Sequence, residues 1–406
     1  MNEIKRRAMK ALNKPAPYGP DVDIKDYEAE IPEALQLPLE ELPQEMREKA
    51  EMVGIDVNEK GVGATYLQID HSVAYTMLRA RLKRKGIIVM STAEALRRLP
   101  WVAKYYWKLI PVDTDKYTAT VEIHMRHGYF IYVPPGVKVD MPVQACILAR
   151  ARKGLQPIHN IVIVGEGSEL NLVTGCATTS EEGLHIGVSE FYVKKGGRLT
   201  FTMIHGWGAK YHARPRTAVL LEEGAIFASY YINLYPVRSL QAFPIVYAGK
   251  NASCYLTNII LGRGESVIDI GGGVVLRGEK ATGEVISRSI IKDRARVIMR
   301  GRLVGETERI RGHLECRGLL LSPEAYSRAI PELEALAEGA ELTHEAAIGK
   351  ISEDELNYLM SKGFSEEEAV SLIVRGFLEV GLERLPQAIR EPLKIILDMV
   401  ARMARG

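Results

Sequence analysis

The run His313-Leu314-Glu315-Cys316 holds an imidazole, a carboxylate and a thiol within four residues, and each is a competent metal ligand. In an extended chain successive side chains point to opposite faces. His313 and Glu315 then share one face, while Leu314 and Cys316 share the other. The run is not one chelating surface, so a site built on it needs a ligand from another strand or another subunit. Further along, LTHEAAIGK sets His344 beside Glu345. Alternation lets only one of them point at a given site, and the pair reads either as ligands at a chain edge or as a satisfied structural histidine beside an acid. Cys176 sits in LVTGCATTSEEG, directly after Gly175. A glycine at a strand end can expose a thiol, and arginines or lysines elsewhere could lower its pKa, as sulfur transfer requires. A small buried residue at a turn is the equal alternative. Cys146 and Cys254 lie among strand residues and read as structural.

The other polar groups exclude more than they suggest. Four cysteines without a CxxC pair in 406 residues do not make a disulfide scaffold. His124 and His127 are three apart and His205 and His212 seven apart; neither spacing is a signature such as HExxH, and all four read as surface or packing residues. No GxxxxGKS or GxxxxGKT run is present, so no P-loop for ATP is carried here; the glycines of GEGSEL and IGGGVV suit turns and close packing. Net charge is only +2. From Arg288 to Gly312 eight basic residues face three acidic ones, but no aromatics interleave them, so no nucleic-acid partner is expected. Alternation would place many of those charges on one solvated face that could attract an acidic partner. The basic N-terminal MNEIKRRAMKALNK lacks the apolar run of a signal peptide, and no stretch reaches the roughly 20 apolar residues of a membrane helix. A soluble, cytoplasmic protein is expected. There is no clear flavin-binding signature.

Three regions position these residues. Residues 1–115 read as mostly helical. Within them Asp21 to Glu51 has eleven acidic and three basic residues and is broken by Pro32, Pro38 and Pro43, as in a partly flexible arm. Ser91 and Glu94 form the ends of a capping box. Residues 116–350 are dominated by β-branched residues, glycines and short apolar runs. Turn residues Gly167, Gly197, Gly224 and Asn251 recur almost regularly, which suggests stacked strand-turn-strand units in a solenoid. A β-helix fits best; a β-sandwich is the alternative, although the NG and DG turn pairs of its hairpins are missing. Residues 351–406 switch to a helical period. Ser352 with Glu355, and Ser365 with Glu368, read as capping boxes, and Gly363 lies between them. Leu372, Ile373 and Phe377 read as an inward stripe, and a last helix is expected from about Leu393 to Met403 after Pro392.

From about Gly86 to Gly376 the chain resembles the SufB/SufD family of iron-sulfur cluster assembly scaffolds, nearer to SufB. The resemblance is carried by GYFIYVPPGVKVDMPVQ, by LNLVTGCATTSEEGLHIGVSEFYVKKGGRLTFTMIHGW, and most specifically by LTHEAAIGKISEDELNYLMSKGFSEEEAVSLIVRGF. It implies a right-handed parallel β-helix between helical ends, paired through that core as a homodimer or with a SufD-like paralogue. It implies a SufC-like ABC ATPase docked on the C-terminal helices, with ATP and magnesium bound only by that partner, together with a sulfur donor protein and iron-sulfur recipient proteins. By position, Cys176 matches the cysteine that receives sulfur, and Cys316 the interface cysteine proposed as ligand of a transient cluster. Glu345 matches the acidic residue tied to that cluster, and His344 the histidine before it. Thr343 stands where the family has a further Glu, and the N-terminal cysteine cluster of some SufB proteins is absent. Two other functions stay in view: a SufD-like structural subunit without its own cluster, and a polysaccharide-acting β-helix enzyme, for which a secreted protein with paired carboxylates would be expected.

Overall fold

The computed structural model describes residues 3–33, 36–233, 235–379 and 394. β-branched runs separated by tight turns stack into a parallel solenoid of about eight turns with two sheets facing each other. The first sheet runs, in hydrogen-bonded order, Ser72–Leu78, Ala64–Ile69, Val143–Ala149, Glu169–Thr178, Arg198–Gly206, Ile226–Asn233, Ser253–Gly262, Thr282–Ile291, Arg311–Leu320 and Glu341–Lys350. The second sheet ends in Val267–Leu276, Arg296–Gly305 and Tyr326–Ala335. A continuous apolar core fills the space between them, from Tyr66 and Ile147 to Leu314 and Cys316. Burying each Val, Leu or Ile side chain contributes roughly 1.5–3 kcal/mol, so no strand-turn-strand unit is stable without its neighbours.

One corner of the solenoid is a column of left-handed residues: Gly136, Gly167, Gly196, Gly224, Asn251, Lys280, Arg309 and Gly339. Here the amide of Gly167 donates to Lys195, that of Gly196 to Glu223, and that of Gly224 to Lys250, at 2.9, 2.8 and 2.8 Å. The turns are thus themselves a hydrogen-bonded ladder. The left-handed residue in the third turn is Gly196 rather than Gly197. In IGGGVV the glycines lie inside strand Val267–Leu276, where a Cβ on Gly271 would stand 1.7 Å from the Arg300 carbonyl oxygen. They permit close approach of neighbouring rungs and do not form a turn.

The N-terminal region is less helical than its composition suggests. Ala64–Ile69 is already a rung, parallel to Val143–Ala149, and Ser72–Leu78 and Ile88–Ser91 add antiparallel strands. Helix Lys116–His124 lies just inside the stretch read as strand. The acidic arm is docked on the solenoid: Glu28 bridges to Gly154, and Val22, Ile31, Leu39, Leu42 and Met46 are buried. Arg214, with no exposed surface, donates to the Pro20 carbonyl at 2.8 Å. Ser91 caps helix Thr92–Arg98 by accepting from the Glu94 amide.

At the other end, Ser365 and Glu368 form a full capping box on Glu366–Leu378, whereas Ser352 makes no side-chain cap on Glu353–Ser361. Ala369, Val374 and Leu378 are the buried stripe, with Leu372 exposed, so the helix is rotated from the orientation its sequence suggested. Gly363 ends the first helix with φ of 96°. Of the helix expected from Leu393 to Met403 only Lys394 is described, and it is helical; the rest lies outside the described residues. Among the described residues no helix is long and apolar enough to cross a membrane.

A fully buried carboxylate fastens the N-terminal region to the second sheet. Glu190, inside strand Glu182–Val193, accepts from the amides of Trp107, Lys108, Leu109 and Ile110 at 2.5–3.2 Å, and His159 Nε2 lies 2.9 Å away. Several N–H donors offset the cost of burying the charge. Glu190→Ala is expected to lose roughly 3–5 kcal/mol by orphaning these donors and the imidazole, read as a lower thermal midpoint; an unchanged midpoint would contradict the anchoring role.

Candidate functional site

The candidate ligands lie on the last three rungs of the first sheet, and strand register decides which of them can meet. Strand Arg311–Leu320 pairs in parallel with Thr282–Ile291 on one side and Glu341–Lys350 on the other. Cys316 stands opposite Ser287 and Ala346, Leu314 opposite His344, and Glu315 opposite Ile286 and Glu345. Leu314 and Cys316 belong to the inner core, with 0% and 1% exposure. Burial, then the neighbouring Glu315 carboxylate, pushes the Cys316 thiol up to about 12. His344 shares that inward row but is exposed, because no rung among the described residues covers the last strand. Glu315 and Glu345 face outward. A single copy therefore does not bring Cys316 and Glu345 together.

What the outer face does assemble is His313, Glu315 and Glu345, with one ligand atom of each within 4.8 Å of the others. Glu315, only 9% exposed, pairs with Arg288 and with Arg317 Nε at 3.2 Å. Arg317 also pairs with Glu345. Arg288 lies under the Phe377 ring, 5.3 Å from its centroid, so the C-terminal helix seats on this network. His313 Nδ1 is 2.9 Å from the Thr343 hydroxyl. Arg288 opens the basic run read as a solvated face, and Arg317 lies just beyond its end. That face is instead largely neutralised within the chain: Arg300 holds Asp269, Arg302 holds Glu334 and Arg294 holds Glu265. The missed signal is positional: Arg288 and Arg317, like Glu315 and Glu345, are paired across adjacent rungs.

Cys176 is not at an exposed strand end. It lies within Glu169–Thr178, opposite Ile147 and His205, is 1% exposed, and has its Sγ 3.7 Å from Met203 Sδ. Gly175 does not stop the strand. It makes room for the N-terminal segment, since a Cβ there would meet Val53 at 2.6 Å and Ile55 at 2.8 Å. Burial pushes the Cys176 thiol well above the ordinary range, with Cys146 adding to the shift and no cation opposing it. His205 is packed as well: its Nδ1 is 2.9 Å from the Tyr231 hydroxyl. Cys146 and Cys254 are also fully buried. Cys176, Cys254 and Cys316 share the inner core, while Cys146 faces the N-terminal segment.

Comparison with known proteins agrees along most of the chain. Residues 147–377 match the family described as "SUF system FeS cluster assembly, SufBD core domain", and residues 36–145 match "SufBD protein N-terminal region". An iron-sulfur cluster assembly SufBD family protein of Methanothermobacter thermautotrophicus is 40% identical over 98% of both chains. One of Archaeoglobus fulgidus is 43% identical over 88% of this chain and 95% of its own. The iron-sulfur cluster assembly protein SufB of Bacillus subtilis is 30% identical over 86% of this chain and 76% of its own.

Because the thiolate is the reacting form, alkylation of Cys176 in the native protein is expected to be slow at neutral pH. It should climb with pH through the ordinary thiol range without levelling off, and become fast on unfolding. Peptide mapping after iodoacetamide treatment reads this; prompt labelling at neutral pH would contradict the buried, protonated thiol.

Proposed function

Since this chain belongs to the SufBD family of iron-sulfur cluster assembly proteins, we propose that it is a SUF scaffold subunit. In this reading it receives sulfur and iron and builds a transient cluster at the seam between two solenoids, as a homodimer or with a SufD-like paralogue, in the cytoplasm. The observation that carries the proposal is the open end of the solenoid beside Cys316. Among the described residues, strands Tyr326–Ala335 and Glu341–Lys350 each pair on one side only. Leu333, Leu336 and Ile348 are 40%, 66% and 39% exposed there. An uncovered sheet edge is a template for another chain, and a second copy covering it would bring its own ligands to this seam. Cys316 lies one rung below the edge, with Ala346 opposite it on the last rung. His344 shares its inward row.

Cys176 is the proposed sulfur acceptor and Cys316 the proposed cluster ligand; both thiols face one inner core, which supports a passage of sulfur along the solenoid. Glu345 supplies a carboxylate that binds iron less tightly than a thiolate and so allows release to recipient proteins. Tyr358, Met360, Phe364 and Leu372 leave an apolar surface on helices Glu353–Ser361 and Glu366–Leu378 and the turn between them. That surface suits an ABC-type ATPase, which would supply the ATP and magnesium chemistry this chain lacks a P-loop for. A SufD-like structural role is the second reading, favoured by the burial of Cys316.

Anaerobic reconstitution with iron and sulfide, read by absorption and Mössbauer spectra, separates the two readings. Cys316→Ser should leave oligomeric state intact and abolish the cluster, and Glu345→Ala should reduce its yield. Unchanged iron and sulfide content in Cys316→Ser would remove the ligand role. Truncation after Ile351 should lose the ATPase partner; continued co-purification would contradict docking on the C-terminal helices.

A further inference from the structure

We propose that His313, Glu315 and Glu345 form a docking site for a divalent cation on the outer face of the solenoid, with the Arg317 guanidinium as its placeholder. The choice of ferrous iron as the natural ion rests on the scaffold reading above; the site itself does not. The three ligand atoms lie within 4.8 Å of one another on adjacent rungs, so an ion between them can touch all three without a change of register. One imidazole and two carboxylates suit borderline and hard divalent ions, and three protein ligands leave positions open to water or an incoming ligand.

Glu315 points into this site from a setting that holds it ready. The residue is 9% exposed, and its Oε1 has no hydrogen bond among the described residues, although Arg288 and Arg317 come within ion-pair distance. The two arginines differ in their freedom. The Arg288 side chain is 6% exposed and packed on Phe377, so it remains and balances one carboxylate charge. The Arg317 side chain is 37% exposed and bridges Glu315 to the half-exposed Glu345. It can swing into water when a more concentrated charge takes its place. Thr343, bonded to His313, orients the ring as an outer-shell partner does. Iron then arrives on the outer face while both functional thiols face inward, and metal and sulfur are kept apart until they reach the edge of the sheet.

The test uses the full chain without iron and Mn²⁺ alone as the probe, with free ion counted by electron paramagnetic resonance. Wild type should bind Mn²⁺ saturably. His313→Ala and Glu315→Gln should weaken binding about tenfold or more, Arg317→Ala should tighten it by removing the competitor, and Cys316→Ser should leave it unchanged. His313 is on the surface, so its variant keeps the test valid if Glu315→Gln fails to fold. Absence of saturable binding in wild type, or wild-type affinity in His313→Ala, overturns the site, as does loss of binding in Cys316→Ser. If the site fails while clusters still form, the scaffold reading stands; if Mn²⁺ binds at these residues and no cluster can be built, the site stands and that reading falls.

Discussion

Side-chain alternation along the last rungs of the first sheet limits every ligand arrangement open to this protein. It turns Cys316 into the core and Glu315 and Glu345 out to solvent. The limit has an energetic side. Burial, then the neighbouring Glu315 carboxylate, pushes the Cys316 thiol up to about 12, so the free thiolate is disfavoured at neutral pH. A bound soft metal or a rearranged edge would favour its deprotonated form.

The two ends of the solenoid are treated differently. At the N-terminal end the antiparallel strand Ser72–Leu78 covers the first rung, and Leu39, Leu42, Met46 and Val53 pack along the outer face of the sheet. The Glu190 carboxylate locks the remaining N-terminal segment in place. Solenoids need such caps, because a terminal rung otherwise leaves backbone groups and apolar side chains unpaired. At the other end the last two strands have no cap among the described residues, and the helix Glu366–Leu378 packs against the outer face instead: Val374 and Leu378 cluster with Ile290 and Leu319. The two ends of one stacked core thus differ in how far they are closed.

Much of this architecture was legible in the residues. β-branched runs and recurring turn glycines read as a solenoid, and Ser365 with Glu368 marked a helix start that the structure repeats. The alternation that separates Cys316 from Glu315 was equally plain. What misled were residues whose reason lies in tertiary contact. Gly175 looked like a strand end, yet its missing side chain accommodates Val53 and Ile55 from a segment more than a hundred positions away. The arm from Asp21 to Glu51 looked flexible from its charge, but its few apolar residues are the ones that dock. Arg288 looked solvated because its partner Glu315 is a rung away rather than adjacent in sequence.

The most direct measurement is hydrogen–deuterium exchange over residues 341–350 as a function of protein concentration. If a second solenoid covers this edge, its amides should exchange slowly in concentrated protein and faster on dilution below the dimer dissociation constant. Fast exchange at every concentration, alongside a protected strand Arg311–Leu320, would mean that the edge stays bare and that no seam forms beside Cys316.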